Sequence, residues 1–349
     1  RWPARPARSP SSGPPSSAMV PENAAADASD SAEDFLFGPG ASALAEVSDD
    51  EDDEDDEQAP PRRIAEVSAT RITPAEFEAR YVRCGRPAVL TGCEAEAWWP
   101  GWLTLEYLAA QYGGARVGLD GAKAPTSSLG AFIGGLDAET RYCRNVHLGD
   151  VLSARDVARL AWPAPLGANA LATTRAAVPD AWRHWFELFV LPRRCVGYPF
   201  LHVDACSTHA FSLQLRGVKR FTLFAPDDAP FLYARPPTYC RSALPDGAPY
   251  RVDLARWPQF AKARPVTVDL RPGSLLFLPR HWWHIARPAH HRARDDVGGG
   301  GPDDHGLTLG GNFVSPGATE AAFLDDWADF ALMKDLAAGR HRAAAIWDH

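Results

Sequence analysis

From residue 210 to 224 the chain reads Ala-Phe-Ser-Leu-Gln-Leu-Arg-Gly-Val-Lys-Arg-Phe-Thr-Leu-Phe, apolar and polar positions alternating on either side of Arg216-Gly217. Period-two alternation predicts two half-buried strands, and the Arg-Gly break predicts a hairpin between them. A second pair follows, in which Val266–Leu270 alternates, Arg271-Pro272-Gly273 is a turn, and Ser274-Leu-Leu-Phe-Leu278 has the continuous apolar run of a buried strand. That strand leads into Pro279-Arg-His-Trp-Trp-His284. Nearer the start the signals are helical. Thr73-Pro74 ahead of an acidic turn starts a helix over 73–81, Thr104 caps another, and residues 127–133 predict a short third, with a strand over 86–90. After the last strand, residues 319–336 carry apolar positions at helical period, which brings Phe323, Trp327, Phe330 and Leu332 near one another. The prediction is a mainly β protein with flanking helices.

Candidate chemistry lies inside the β region. His202 and Asp204 are two residues apart, so on a strand both side chains leave the same face and can close on one ion. His284, 82 residues further on, would supply a third ligand. Two imidazoles and one carboxylate form the facial triad that holds Fe(II) and leaves positions open for other ligands. An isolated H-x-D is more often a solvated strand end, so the flanking residues decide the reading. His209 lies an odd number of residues from His202 and faces away on a regular strand, and His281 points elsewhere if its segment is extended. Trp282 and Trp283 are expected to pack beside the site and limit water access.

Three stretches carry a resemblance to a known family. They are Phe189-Val-Leu-Pro with Gly197-Tyr-Pro-Phe-Leu-His-Val-Asp204, then Gly217-Val-Lys-Arg-Phe-Thr-Leu-Phe-Ala-Pro226, and finally Pro272-Gly-Ser-Leu-Leu-Phe-Leu-Pro-Arg-His-Trp-Trp-His284 with Gly311-Asn312-Phe313 behind it. In order, spacing and flanking residues, positions 70 to 316 resemble the JmjC, cupin-like Fe(II)- and 2-oxoglutarate-dependent oxygenases, nearest in pattern to the factor-inhibiting-hypoxia-factor type. The resemblance implies a double-stranded β-helix, a jelly-roll barrel. It implies that His202, Asp204 and His284 hold iron, and that Lys219 and the Tyr142 hydroxyl bind the distal carboxylate of 2-oxoglutarate. Asn312 on the last strand would face the pocket. Two positions depart from the pattern, Gly310 and Pro199 standing where family members often carry a hydroxyl; Ser212 or Thr308 could substitute. The activity implied is hydroxylation of a protein side chain, with 2-oxoglutarate and oxygen going to succinate and carbon dioxide. Demethylation, a tRNA- or small-molecule-directed oxygenase, and a non-catalytic cupin-like binding module remain open.

Composition narrows the setting. At 349 residues and 46% hydrophobic content the chain can build one large β domain plus helices. No run of about 18 apolar residues occurs, so no membrane span is indicated. Nine of its 44 acids form the unbroken run 49–57; without them 35 acids stand against 36 lysines and arginines. The body is therefore near neutral, so a nucleic-acid partner is open but not indicated, the protein or peptide substrate being what the resemblance implies, and the acidic run reads as a self-repelling linker. Cys84, Cys93, Cys143, Cys195, Cys206 and Cys240 form no C-x-x-C pair and read as thiols of a reducing, intracellular compartment, cytoplasm or nucleus. Residues 1–18, rich in Arg, Pro and Ser, have a faint organellar-transit character; opening on Arg1, the chain reads as a fragment or as one whose translation starts at Met19. The organisation predicted is a disordered region over 1–62, the oxygenase domain over 63–316, and a helical segment over 317–349. That segment's apolar stripe fits either pairing into a homodimer or packing back on the barrel. The Gly-rich loop 287–306 carries His290, His291 and His305, which read as solvated side chains rather than a second metal site.

Overall fold

The structure, a computed structural model, describes residues 63–120, 126–174, 185–235, 240–247, 249–289 and 305–337. The predicted disordered region 1–62 and most of the 287–306 loop, His290 and His291 included, lie outside the described residues. Internal contacts group Gly38–Met333 as one unit, whose architecture follows. In chain order the elements are β1 (Ala65–Ser68), α1 (Pro74–Phe77), β2 (Ala88–Thr91), α2 (Leu105–Tyr112), β3 (Arg116–Val117), β4 (Ser127–Ser128), α3 (Leu129–Gly134), β5 (Cys143–His147), α4 (Leu148–Val151), α5 (Ala154–Val157), β6 (Glu187–Leu191), β7 (His209–Arg216), β8 (Lys219–Phe224), β9 (Val266–Leu270), β10 (Ser274–Leu278), β11 (Trp283–Pro288), β12 (Gly306–Phe313) and α6 (Ala318–Ala337).

The helix starts follow local chemistry. Thr73 accepts from the Glu76 N–H at 3.2 Å while the Glu76 carboxylate accepts from the Thr73 N–H at 2.9 Å, a reciprocal capping box ahead of Pro74. Thr104 caps α2 through the Tyr107 N–H at 3.1 Å, and Ser128 caps α3 through the Ala131 N–H at 3.3 Å. α1 runs on into a π-helical turn, Glu78–Val82, which buries Tyr81 and Val82 beside Phe77.

The strands form a large sheet in the order β1-β2-β10-β7-β12-β6-β5 and a small one in the order β11-β8-β9, antiparallel except for β1 with β2. These facing sheets make the jelly roll. The predicted hairpin at Arg216-Gly217 is not formed: β7 pairs with β10 and β12, whereas β8 pairs with β9 and β11. The segment between them is a corner that carries the chain from one sheet to the other. Its shape is held from inside. The Gln214 amide donates to the carbonyls of Arg216 at 2.6 Å and Gly217 at 3.3 Å, and Thr308 Oγ1 donates to Gln214 Oε1 at 2.7 Å. Gly217 has φ +68°, and a Cβ there would lie 2.8 Å from the His305 carbonyl, so only glycine fits the corner. The turn at 271–273 likewise joins strands of different sheets, with Gly273 at φ +81°.

Alternation along the strands divides two cores. Phe211, Leu213, Leu275, Phe277, Leu309 and Phe313 leave the outer face of the large sheet and pack with Phe77, Leu108 and Leu129 of the helices. Val89, Leu276 and Leu278 point inward against Phe221, Leu223 and Ala286 of the small sheet. By the same parity Ser212, Gln214, Thr308, Gly310, Asn312, Lys219 and His284 face the interior. An interior carrying this many polar groups is a site, because a barrel built only for stability fills with apolar side chains. At the C-terminal end, Phe323 is fully buried and packs with Leu324 and Trp327 on Ala170, Leu171, Cys206 and Val314. Among the described residues no helix is long and apolar enough to cross a membrane.

One polar cluster ties the helices together. The Asp156 carboxylate accepts from Tyr107 Oη at 2.5 Å, Tyr112 Oη at 2.6 Å and Arg159 Nη1 at 3.0 Å, and these bonds, the tyrosines first, hold its pKa down at about 2. A carboxyl depressed in the folded state stabilises fully above its unfolded value of about 3.9, and that stabilisation is lost as pH falls through the folded value. Asp156→Ala is therefore expected to lower the denaturant midpoint at neutral pH and to lose most of that difference near pH 2, as urea titrations at the two pH values will show. A difference that does not shrink in acid would remove the ionised carboxylate from the account.

Candidate metal centre

Gly197 opens the segment that places the first histidine. Its φ is +87°, and a Cβ would meet the Ala286 carbonyl at 2.4 Å and Arg287 Cα at 2.5 Å, so the chain here lies flat against β11. The Tyr198 N–H donates to the Ala286 carbonyl at 2.7 Å. Four residues later His202 and His284 exchange both backbone bonds, His202 N–H to His284 O at 3.2 Å and His284 N–H to His202 O at 2.8 Å. They are a hydrogen-bonded antiparallel pair, which brings their side chains out together. The imidazole centroids are 4.3 Å apart. The expected strand at His-Val-Asp is thus a single bridge in an irregular extended segment, and Asp204 follows it. Ligand atoms of His202, Asp204 and His284 all lie within 4.8 Å of one another.

The tautomers are set from behind. His202 Nδ1 lies 3.2 Å from the Phe200 carbonyl and His284 Nδ1 lies 3.1 Å from the Trp282 carbonyl, and because a carbonyl can only accept, both Nδ1 atoms carry the proton. Each Nε2 is left with a free lone pair. Burial, then the neighbouring His284, pushes the His202 pKa well below the ordinary histidine range, which keeps it neutral. The ring is also clamped: Tyr198 stacks on it at 4.4 Å and 17°, and the Arg144 guanidinium lies 4.5 Å from the centre of the Tyr198 ring.

Deeper in the barrel is a lysine that makes no ion pair among the described residues. Lys219 is 4% exposed, and its Nζ sits 4.6 Å from the Phe189 ring centre and 4.9 Å from that of Phe221. Burial brings its pKa down to about 7. The Tyr142 hydroxyl is buried without a hydrogen-bond partner among the described residues and packs in a cluster with Phe189, Leu191, Cys195 and Tyr198. A buried lysine and a buried phenol thus both lie beside Phe189. Gly310 makes this arrangement possible, since a Cβ there would lie 2.8 Å from Phe189 Cε2. The hydroxyl-bearing residue often found at this position in the resembled family would push Phe189 out of place.

The remaining candidates are placed differently. Asn312 donates from Nδ2 to Thr208 Oγ1 at 2.9 Å, and Thr208 donates to the Ala205 carbonyl at 3.0 Å, so Asn312 secures the turn after Asp204. Ser212 is buried on the inner face of β7 opposite Gly310. Thr308 spends its proton on the corner ahead of Lys219. His209 stands apart from the three ligand residues, its Nδ1 accepting from the Arg280 N–H at 3.1 Å and its ring against Phe277 and Phe313. Burial takes its pKa down to about 4. His305, read as a solvated loop side chain, is buried instead, with Nδ1 accepting from the Arg193 N–H at 3.2 Å and Nε2 3.2 Å from Asp137 Oδ1. Trp283 does not line the site either, because it leaves the opposite face of β11 from His284 and packs with Leu201 and Phe224. Trp282 donates to the Gly85 carbonyl at 2.9 Å. Sequence reasoning missed Arg144, Tyr198 and Phe189. Tyr198 and Phe189 stood inside the quoted stretches, but nothing in the spacing of Arg144 announces that it reaches the ring stacked on His202.

Comparison with known proteins bears on the same segment. The family model described as the Cupin-like domain matches residues 196–297, the stretch that contains all three clustered ligand residues and Lys219. Over that stretch the chain is similar to the cupin-like domain. Over 84 residues it is 50% identical to HSPB1-associated protein 1 of Rattus norvegicus, and over 92 residues 40% identical to the HSPB1-associated protein 1 homolog of Danio rerio. It is also 39% identical over 72 residues to tRNA wybutosine-synthesizing protein 5 of Homo sapiens. These alignments cover 24%, 26% and 21% of this chain and 17%, 20% and 21% of the relatives, so the likeness spans a fifth to a quarter of this chain and about a fifth of the relatives' length.

Proposed function

We propose that the cupin-like domain is an Fe(II)- and 2-oxoglutarate-dependent oxygenase that hydroxylates a protein side chain. The observation that carries this reading is the coincidence, in one barrel, of three clustered ligand groups with a buried lysine and a buried phenol that has no hydrogen-bond partner among the described residues, both suited to a carboxylate. The donor set of two neutral imidazoles and one carboxylate fits iron, and the Nδ1–H bonds leave each Nε2 ready to ligate. Bound there, iron would supply the oxidative chemistry that couples decarboxylation of 2-oxoglutarate to hydroxylation of a C–H bond. The chain's own contribution is positioning. Lys219 and Tyr142 hold the far carboxylate of the cosubstrate, Lys219 by charge and Tyr142 by donating its hydroxyl proton. Phe189, Phe221 and Leu191 keep water from that end, which strengthens both interactions.

The two groups of relatives support different substrates. The name HSPB1-associated protein 1 records an association with a protein, which accords with a protein substrate. The likeness to a tRNA wybutosine-synthesizing protein favours, as a second reading, an RNA-directed oxygenase on the same scaffold. Demethylation is the outcome if the hydroxylated carbon is an N-methyl group. An intracellular location belongs to the same proposal, on the free cysteines, as does pairing through α6, on the sequence pattern of residues 319–336. The direct test of the site is calorimetric titration of 2-oxoglutarate into the protein with Mn(II) and with a chelator. Binding that requires the metal is expected; equally tight binding in chelator, or none in either, contradicts a joint metal and cosubstrate site.

A further inference from the structure

The turn that follows Asp204 is held in an unfavourable backbone conformation. Cys206 and Ser207, neither of them glycine, have φ of +57° and +51°, and His281 in the loop before His284 has φ of +67°. Left-handed conformations at such residues persist only where tertiary contacts impose them. Here one network does so. Ser207 Oγ donates to Asp326 Oδ2 on α6, and since its single proton is committed there, it accepts from His281 Nε2 at 3.4 Å. Ser207 is three residues after Asp204 and His281 three before His284, so the bond joins the two loops that carry these residues. Beneath it the helix is anchored apolarly: Phe323 is fully buried and packs with Trp327 against Cys206, itself 7% exposed.

From this we infer that α6 is a clasp for the metal centre, with Asp326, Ser207 and His281 as positioning residues that set the distance between Asp204 and His284. The inference rests on the metal-centre reading above. It gives the C-terminal helix a task in the chemistry of its own chain, whether or not it also pairs two copies. Asp326 acts through Ser207, whose hydrogen bond joins the Phe323 anchor and the Asn312–Thr208–Ala205 bonds in holding the turn in its left-handed form. Removing either partner lets Cys206–Ser207 relax and draws Asp204 away from the two imidazoles.

The test uses Co(II) as the probe, with affinity and visible absorption as readouts, on the full chain and on Ser207→Ala, Asp326→Ala, Asp326→Asn and His202→Ala. Outer partners of metal ligands typically change affinity by about 10- to 100-fold, and a loss of that order with an altered cobalt spectrum is expected for Ser207→Ala and Asp326→Ala. Asp326→Asn keeps an acceptor for the Ser207 hydroxyl and is expected to recover most of the affinity. Alkylation at Cys206, followed by mass spectrometry under native conditions, should quicken in the two alanine variants, and unchanged far-ultraviolet circular dichroism will show that they fold. Wild-type affinity and spectrum in both alanine variants, with His202→Ala unable to bind, overturns the clasp and leaves the metal centre standing. Equal losses in Asp326→Asn and Asp326→Ala overturn the hydrogen-bond role. Absence of Co(II) binding in the wild type removes the metal-centre reading, and the clasp with it.

Discussion

Lys219→Met is expected to weaken 2-oxoglutarate binding by roughly 100-fold or more while leaving metal affinity near that of the wild type, because losing one partner of a buried ion pair costs about 3–5 kcal/mol. The same change should stabilise the free protein. Lys219 is buried against Phe189 and Phe221, and its pKa lies at about 7 rather than the ordinary 10.5. A lysine whose folded pKa is depressed carries its full destabilisation below the folded value, and that cost is relieved as pH rises toward the unfolded one. Wild type should therefore gain stability from about pH 7 upward, and Lys219→Met should not. Binding of an anion reverses the sign. It restores the charge on Lys219, so above pH 7 binding takes up a proton, and affinity should fall by about tenfold per pH unit. Calorimetry in buffers of different ionisation enthalpy measures that proton directly. A Lys219→Met protein that binds 2-oxoglutarate as the wild type does would place the carboxylate elsewhere.

Gly197→Ala is the second large effect. The new Cβ would overlap the Ala286 carbonyl at 2.4 Å and Arg287 Cα at 2.5 Å, and both are backbone atoms of a paired strand that cannot step aside. Left-handed strain plus overlap amounts to roughly 2–5 kcal/mol. The chain can relieve it by lifting residues 197–202 from β11, which breaks the His202–His284 backbone pair. Stability and metal affinity should thus fall together. Gly85 is the control, since it has φ +60° but nothing within 4 Å of its Cβ position, and Gly85→Ala should cost only backbone strain and leave metal affinity alone. Intact metal binding in Gly197→Ala would show that the segment is not what positions His202.

What the sequence made legible was mostly local. Thr73, Thr104 and Ser128 announce their helices because a cap is satisfied within three residues of itself. The cluster of His202, Asp204 and His284 was legible for a different reason: a metal site needs particular side chains, and their flanks set the spacing apart from chance. The corner at Gly217 was not legible, because strands alternate with period two whether the next strand lies beside them or across the barrel. The information sits in Gln214, Thr308 and His305, whose contacts with the corner join positions up to 94 residues apart. Burial of His305 and the outward turn of Trp283 escaped for the same reason. So did the burial of Lys219 between Phe189 and Phe221 and the hydroxyl of Tyr142 left without a partner among the described residues.

Whether the metal centre turns over is read from succinate formation. Purified wild type, His202→Ala and Lys219→Ala are incubated in air with Fe(II) and 2-oxoglutarate, alone and with candidate peptides or tRNA, and succinate is quantified. Fe(II)-dependent succinate is expected from the wild type, increased by the true substrate and absent from both variants. Succinate that persists in His202→Ala, or a wild type that binds metal and cosubstrate yet forms none with any peptide or RNA offered, would contradict the oxygenase reading.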